Sequence, residues 1–192
     1  MTPDTDRPAI RKDAILDAAF RAFATYGFRR TTMDDIAQRV ELSRSALYLH
    51  YRNKDDILRS LAAKYFEEAA INVASELGKP DRSAAKTLSA AFAGFDGKFM
   101  DISLGTPHGA EMLEAGHLVS SDLVAKGEAQ IHGLLVDWLS SEAIPDELGD
   151  ATTLATTVLA SLKGLKSVAK STEGYRTAQE QLAHMLARAL GR

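Results

Sequence analysis

The sequence contains no cysteine, which excludes disulfide bonds, thiolate zinc sites and cysteine nucleophiles. No apolar run approaches the roughly 20 residues that a membrane-spanning helix needs. The opening MTPDTDRPAI is polar and acidic, unlike a secretory signal peptide. We therefore expect a cytoplasmic protein with no membrane partner, and 45% hydrophobic residues are enough to fill a core.

Excess positive charge is also missing, since the net charge is −3. That sum hides an asymmetry, because residues 1–60 carry eleven Lys/Arg and nine Asp/Glu, whereas residues 61–192 carry twelve and seventeen. Between Arg29 and Lys54, six cations accompany only three acids. A small basic face on an otherwise acidic protein is typical of a compact nucleic-acid site.

Alternating strand patterns are absent as well, and every periodic segment favours a helix. The sequence predicts an all-α fold of about nine helices. We expect an N-terminal helix-turn-helix domain at 1–52 and a C-terminal helical domain at 53–192, in which the helix 53–77 serves as a connector.

Helix-capping residues set the predicted boundaries. The first helix runs from about Arg7 to Tyr26 and ends at Gly27. Thr32 and Asp35 then form a capping box. Ser43 caps a very short helix, and Asn53 begins a long one that ends near Leu77.

Five further helix starts follow Pro80. The pattern predicts a helix capped by Asp81 that ends near Asp101, and another that begins at Thr106-Pro107. Ser120 or Ser121 opens a helix through Trp138. The last two predicted helices are 146–170 and 172–190.

Two short helices joined by Glu41-Leu42 and preceded by a longer helix indicate a helix-turn-helix, whose second helix presents its N-terminal residues to a major groove. Ala46, Leu47 and Leu58 would hold that helix on the core. Arg44 and Ser45 are then candidates for base contacts. Thr32, Tyr48, His50 and Lys54 are candidates for phosphate contacts.

The stretch TTMDDIAQRVELSRSALYLHYRNKDDIL, residues 31–58, resembles the DNA-binding signature of the TetR family of transcriptional regulators. The residues in register are Thr32, Asp35-Ile36-Ala37, Ser43, Leu47-Tyr48, Tyr51 and Asn53-Lys54. The resemblance implies a homodimer on a double-stranded DNA operator, with a C-terminal domain that senses a small molecule of unknown identity. The predicted DNA-binding residues are Thr32, Arg44, Ser45, Ala46, Tyr48, His50, Tyr51 and Lys54.

Two positions depart from the family pattern. The turn residue, often glycine in the family, is Glu41, which costs roughly 1 kcal/mol or more if its φ is positive. Position 46, frequently threonine or serine, is Ala46, which loses a hydroxyl but can touch a thymine methyl. The operator sequence therefore cannot be transferred from relatives.

The C-terminal part carries residues suited to an apolar pocket with a few polar groups. The candidate ligand-binding residues are Phe92, Phe95, Phe99, Met100, His108, Met112, His117 and Trp138. The same aromatic and methionine residues at helical spacing also fit an ordinary core. His108 and Glu111, three residues apart, fit a polar lip or cap better than a metal site, because no third ligand follows at a defined spacing. We predict no metal and no cofactor.

Apolar stripes on the last two predicted helices suggest a dimer face. The candidate interface residues are Leu154, Val158, Leu162, Leu165, Val168, Leu182, Met185 and Leu186. The alternative is that both stripes pack only inward. For the whole chain, a ligand-released repressor competes with an all-α enzyme or small-molecule carrier whose N-terminal bundle is non-functional, and no catalytic motif favours the enzyme.

Overall fold

The computed structural model describes the backbone of residues 7–191 and the side chains of 12–191, apart from 97–99 and 102–103. Over this range the fold is all-α, as the sequence predicts, with nine α-helices and no strand. The helices are α1 (Arg7–Tyr26), α2 (Met33–Arg39), α3 (Arg44–Tyr48), α4 (Lys54–Leu77), α5 (Ala84–Gly105), α6 (Gly109–Val119), α7 (Ser121–Ser140), α8 (Ala151–Val168) and α9 (Thr172–Ala189).

The predicted caps of the N-terminal helices are present. The backbone N–H of Asp35 donates to Thr32 Oγ1 at 3.2 Å, and Thr32 N–H donates to the Asp35 carboxylate at 2.8 Å, which completes the capping box of α2. Ser43 Oγ accepts from Ala46 N–H at 3.1 Å, and Asn53 Oδ1 accepts from Asp56 N–H at 2.8 Å. These side chains satisfy backbone donors that a helix start leaves free, and so define where α2, α3 and α4 begin.

Three of the later helix starts differ from the prediction. Asp81 has a φ of +59°, outside the extended region that an N-cap adopts, and α5 begins at Ala84. Helix α6 begins at Gly109, so Pro107 is not its first residue. Asp146 lies in a short 3₁₀ helix, Asp146–Leu148. Helix α8 is instead capped by Asp150, whose Oδ1 accepts from Thr153 N–H at 2.7 Å.

Contacts divide the chain into two compact units. The first contains the residues up to Lys64 together with Gly105–Val124, and the second contains Tyr65–Leu104 with the residues from Ala125 onward. This division assigns α6 to the N-terminal unit and falls within α4. The sequence-based boundary between residues 52 and 53 remains a prediction.

Each unit has its own apolar interior. In the first, Ile15, Phe23, Ile36, Leu47 and Ile57 are fully buried. In the second, side chains of α4, α5, α7, α8 and α9 form one hydrophobic cluster. No described helix is both long enough and apolar enough to cross a membrane.

Candidate nucleic-acid interface and ligand site

Helices α2 and α3 form the helix-turn-helix through a compact turn. Leu42 N–H donates to the Ala37 carbonyl at 3.0 Å, so the turn folds back on the end of α2. The side chains of Ile36 and Leu47 are completely buried, and α2 contacts both α1 and α3. The opposite side of α3, with Arg44, Ser45 and Tyr48, is exposed to solvent.

The turn contains a strained residue. Glu41 has a φ of +52°, a left-handed conformation that residues other than glycine seldom adopt. Glutamate adopts this backbone conformation at a cost of about 1–2 kcal/mol.

Arg44, the first residue of α3, lies on the exposed face. Its Nη1 donates to Asp34 Oδ2 at 3.0 Å, and its guanidinium carbon lies 5.5 Å from the Tyr48 ring centroid. Arg44 and Asp34 are 65% and 50% exposed at their side chains. The pair thus links the first turn of α2 to the first turn of α3, and both side chains are accessible to solvent.

The other predicted DNA-binding residues differ in exposure. Thr32, Ser45 and Tyr48 are exposed, and Ala46 and His50 are half-buried. Ser45 Oγ lies 3.0 Å from Ser43 Oγ, next to the capping bond of α3. Tyr51 is only 7% exposed, and burial raises the pKa of its hydroxyl, so the structure gives its ring a place in the core instead of on the exposed face.

Lys54 makes contacts that the sequence did not indicate. Its ammonium donates to the carbonyl oxygens of Phe28, Arg29 and Thr31 at 2.7, 3.0 and 3.3 Å. It also lies 4.6 Å from the Phe28 ring centroid. Lys54 therefore ties the start of α4 to the loop between α1 and α2, and its role as a phosphate contact stays a prediction.

His108 and Glu111 attach α6 to the end of α1. His108 N–H donates to the Ala24 carbonyl at 3.2 Å, and its Nδ1 lies 3.2 Å from Glu111 Oε2. Glu111 Oε1 accepts from Arg29 N–H at 3.0 Å, which lowers the pKa of Glu111 below its ordinary value. Gly27, with a φ of +89°, leaves room for this contact, since a Cβ there would lie 2.7 Å from Glu111 Oε2.

The other end of α6 is tied to α4. Arg59 donates to the Val119 carbonyl at 2.7 Å and binds both oxygens of Asp122 at 2.8 and 2.7 Å. This bidentate pairing lowers the pKa of Asp122 from 3.8 to about 2. The first unit thus holds α6 at both ends.

The predicted ligand-binding residues are divided between the two units. Phe92, Phe95, Met100 and Trp138 belong to the second unit, and the first three of these are buried. His108, Met112 and His117 belong to the first unit. The side chain of Phe99 lies outside the described residues.

An open cavity of about 560 Å³ runs along α7 and α8 in the second unit, and several of its lining residues are exposed. Of the predicted ligand-binding residues only Phe95 lines it. Two pairs of polar side chains line it. Lys163 Nζ donates to Glu128 Oε2 at 2.8 Å, and His132 Nε2 lies 3.0 Å from Thr156 Oγ1. The remaining lining residues are Ala125, Ala129, Leu159 and Ala160.

The second unit also contains a buried polar network that sequence analysis missed. Asp96, 4% exposed, accepts from Tyr175 Oη at 2.8 Å and from Gln179 Nε2 at 2.6 Å. The Lys166 ammonium lies 2.6 Å from its other oxygen. Burial and the Asp96 carboxylate raise the pKa of Tyr175, so its hydroxyl remains a donor.

The stripes predicted as a dimer face are divided between interior and surface. Leu154, Val158, Leu162 and Leu186 are at most 9% exposed in the single chain and belong to its own core. Leu165 and Leu182 are half-buried. Val168 and Met185 are 71% and 69% exposed, so these two remain accessible to a partner.

Comparison with protein-family models supports the helix-turn-helix assignment. Residues 15–61 match the model described as bacterial regulatory proteins, tetR family. The resemblance to the TetR family is therefore confirmed for this segment.

Two curated relatives carry the same segment. The HTH-type transcriptional repressor Rv1474c of Mycobacterium tuberculosis is 40% identical over 73 residues, 38% of each chain. The negative transcriptional regulator IcaR of the biofilm operon icaADBC, from Staphylococcus epidermidis, is 40% identical over 55 residues, 29% of this chain and 30% of that protein. The matches thus span less than two fifths of these relatives.

Solved structures resemble the chain over nearly its full length. A putative TetR-family transcriptional regulator from Mesorhizobium loti superposes with a TM-score of 0.71 over 96% of each chain, at 16% identity. The SmeT–triclosan complex gives a TM-score of 0.64 over 94% of this chain and 90% of that one, at 18% identity. At such identities the likeness establishes the shared fold.

Proposed function

Because residues 15–61 form a TetR-family DNA-binding segment, we propose that the protein is a transcriptional repressor released from its operator by a small molecule. It binds as a homodimer to a palindromic double-stranded operator. The observation that carries this proposal is the exposed face of α3, which presents Arg44, Ser45 and Tyr48 on a helix anchored from behind by Leu47. A short helix held in this manner enters a major groove with its N-terminal residues foremost.

The surrounding charge supports DNA as the partner. Arg29, Arg30 and Arg39 are exposed on the same small unit as Arg44. Clustered cations on an otherwise acidic chain provide the sequence-independent attraction to phosphates on which specific binding is built. Thr32, Tyr48, His50 and Lys54 remain the proposed phosphate contacts, and Arg44, Ser45 and Ala46 the proposed base contacts.

The cavity of the second unit is the proposed effector site. Its volume of about 560 Å³ falls within the usual range for small-molecule pockets, roughly 300–1,000 Å³. Its apolar walls and two polar pairs suit an amphiphilic organic compound. One structural neighbour is a complex of SmeT with triclosan, which is also a small organic compound. Of the ligand-binding residues predicted from the sequence, this proposed site contains Phe95.

Homodimerisation through α8 and α9 is the proposed source of two-fold symmetry. The outward residues Val168 and Met185 are large apolar side chains in a chain that is otherwise polar on these faces. Replacing Met185 by Glu should then weaken the dimer without disturbing the core, because Met185 is 69% exposed in the single chain. Sedimentation analysis would measure this, and an unchanged dimer would move the interface elsewhere.

A gel shift against the DNA that flanks its own coding region tests the proposed function. A repressor gives a saturable complex that disappears when the palindrome is scrambled, and added effector raises the operator dissociation constant by roughly 5- to 150-fold. The alternative, an all-α enzyme or carrier, predicts no sequence-dependent complex at any salt concentration. Absence of such a complex for this DNA and for a selected random library would remove the repressor proposal.

A further inference from the structure

Asp34 is an acid on the surface that the proposed function brings against DNA. It lies in the first turn of α2 and its side chain is 50% exposed. A carboxylate facing a polyanion is unfavourable unless it is neutralised by a partner or accepts a hydrogen bond from a base. An acid at this position of α2 therefore needs a partner that offsets its repulsion from DNA.

The two oxygens of Asp34 have different surroundings. Oδ1 is covered by protein atoms and makes no hydrogen bond among the described residues, whereas Oδ2 accepts from Arg44 Nη1 at 3.0 Å. The oxygen that faces outward is thus already engaged. Asp34 is better placed to hold Arg44 than to accept from a cytosine amino group.

Arg44 is held from a second side by Tyr48. The guanidinium carbon lies 5.5 Å from the ring centroid, a distance at which the cation and the aromatic face attract each other. One N–H therefore binds Asp34 while the rest of the planar fork stays exposed, with the side chain 65% accessible. A long arginine that is fixed in advance loses less conformational freedom when it binds.

We propose that Asp34 is a specificity-determining residue that positions the Arg44 guanidinium to read one guanine in each half of the operator. The free N–H groups of the fork would donate to guanine O6 and N7, the pairing that suits arginine best. This inference rests on the proposed DNA-binding function and names a residue pair, Asp34–Arg44, that sets its sequence preference. Asp34 acts through Arg44 and does not itself touch the base.

The positioning role has a distinctive signature. Removing Asp34 takes a negative charge off the DNA-facing surface, so binding to random duplexes should be unchanged or tighter. Preference for guanine at one position should meanwhile fall, because the fork is no longer oriented. A residue that only stabilised the start of α2 would lower stability and weaken all sequences alike.

The test uses the full-length chain and a randomised duplex library. Wild type, Asp34→Ala, Asp34→Asn, Arg44→Ala and the double variant Asp34→Ala/Arg44→Ala would each be taken through selection and then measured on the selected duplex with single base changes. Asp17→Asn, which removes one exposed charge from α1, is the matched control. Thermal melting of each variant reports whether it is folded.

Wild type should discriminate guanine at one position by about 5- to 150-fold, the range of a bidentate arginine–guanine pair. Asp34→Ala should lose at least about 5-fold of that preference, and Asp34→Asn, which keeps an oxygen acceptor but loses the charge that holds the guanidinium, should lose a smaller and still measurable part of it. In the Arg44→Ala background the same change should have no further effect on that position, and Asp17→Asn should retain it.

Two results would overturn the inference. One is an Asp34→Ala or Asp34→Asn protein that is folded and keeps the wild-type base preference; the other is a change of preference by Asp34→Ala in the absence of Arg44. If Asp34→Ala fails to fold, Asp34→Asn decides the question. Failure of the wild-type protein to select any sequence would instead count against the proposed function.

Discussion

Lys54 donates to the Phe28 carbonyl at 2.7 Å and lies 4.6 Å from the centroid of the Phe28 ring. The same ammonium also reaches the carbonyls of Arg29 and Thr31. A residue expected to bind phosphate therefore also stabilises the loop that leads into α2. Removing the ammonium would leave these three carbonyl oxygens without their charged donor, which costs more free energy than the loss of one neutral hydrogen bond.

Lys54→Ala should lower the free energy of unfolding by about 1.5–3 kcal/mol, the usual contribution of a hydrogen bond to a charged group. Lys12→Ala, at an exposed position of α1, is the control and should change stability by less than about 0.5 kcal/mol. Denaturant unfolding measures both. If Lys54 also binds phosphate, the salt dependence of DNA affinity should fall by about one unit of slope. Wild-type stability in Lys54→Ala would contradict the bracing role.

The strained turn between α2 and α3 gives a second prediction. Glu41 has a φ of +52°, so Glu41→Gly should raise stability by about 1 kcal/mol, because glycine has no Cβ to clash in this conformation. Glu41→Ala, which keeps the Cβ, should give no comparable gain. The midpoint of thermal unfolding distinguishes the two variants, and equal midpoints would mean that the turn is not strained.

Local signals explain why so much of the N-terminal unit could be predicted. The capping box of Thr32 and Asp35 and the caps at Ser43 and Asn53 each involve residues three positions apart, so the sequence contains the whole interaction. The start of α5 was misplaced because Asp81 is a common capping residue whose backbone here has a positive φ. The φ of Asp81 depends on the conformation of the chain at Pro80, which the sequence pattern does not predict.

Interactions between distant residues of the second unit could not be predicted from the sequence. Asp96 binds Tyr175 and Gln179, which lie 79 and 83 positions away along the chain. Periodicity showed that Leu162 and Leu186 face apolar surroundings, but it could not tell whether the covering atoms come from the same chain or from a partner. The cavity likewise depends on how α7 and α8 pack.

Gly127 marks a close approach of α7 to α4. A Cβ at this position would overlap the ring of Phe66, whereas a Cβ at Gly133, further along α7, would meet nothing within 4 Å. Gly127→Ala should therefore lower stability by about 1–3 kcal/mol, the usual cost of overpacking. Gly133→Ala should leave stability unchanged or raise it by up to about 1 kcal/mol, because alanine favours a helix. Similar unfolding free energies for the two variants would contradict this packing.

The buried Asp96 network should be among the most sensitive points of the second unit. Asp96→Ala removes the partner of Lys166 and leaves the Tyr175 hydroxyl and the Gln179 amide without their acceptor. Breaking a buried ion pair in this way typically costs about 3–5 kcal/mol. Arg176→Ala breaks the exposed pair with Asp101 and should cost less than about 1 kcal/mol. Unfolding curves in urea compare the two, and a small effect of Asp96→Ala would show that the network contributes little.

The pairing of Arg59 with Asp122 makes stability depend on acid pH. Because the pKa of Asp122 falls from 3.8 to about 2 on folding, its contribution is fully present above pH 3.8 and is lost as the pH falls toward 2. In the wild-type protein the unfolded state therefore binds this proton more readily than the folded state throughout that window. Asp122→Asn removes the titrating group, so its stability should fall less steeply between pH 4 and pH 2 than that of the wild type.

Arg59→Ala removes the partner instead of the acid, and it should flatten the same part of the pH profile. With no bidentate cation, the pKa of Asp122 in the folded state moves back toward its unfolded value, and the linkage to pH shrinks. Unfolding by urea at a series of pH values in this window would measure the slopes. Parallel profiles for the wild type and both variants would mean that this pair, which ties α4 to the start of α7, is not formed in solution.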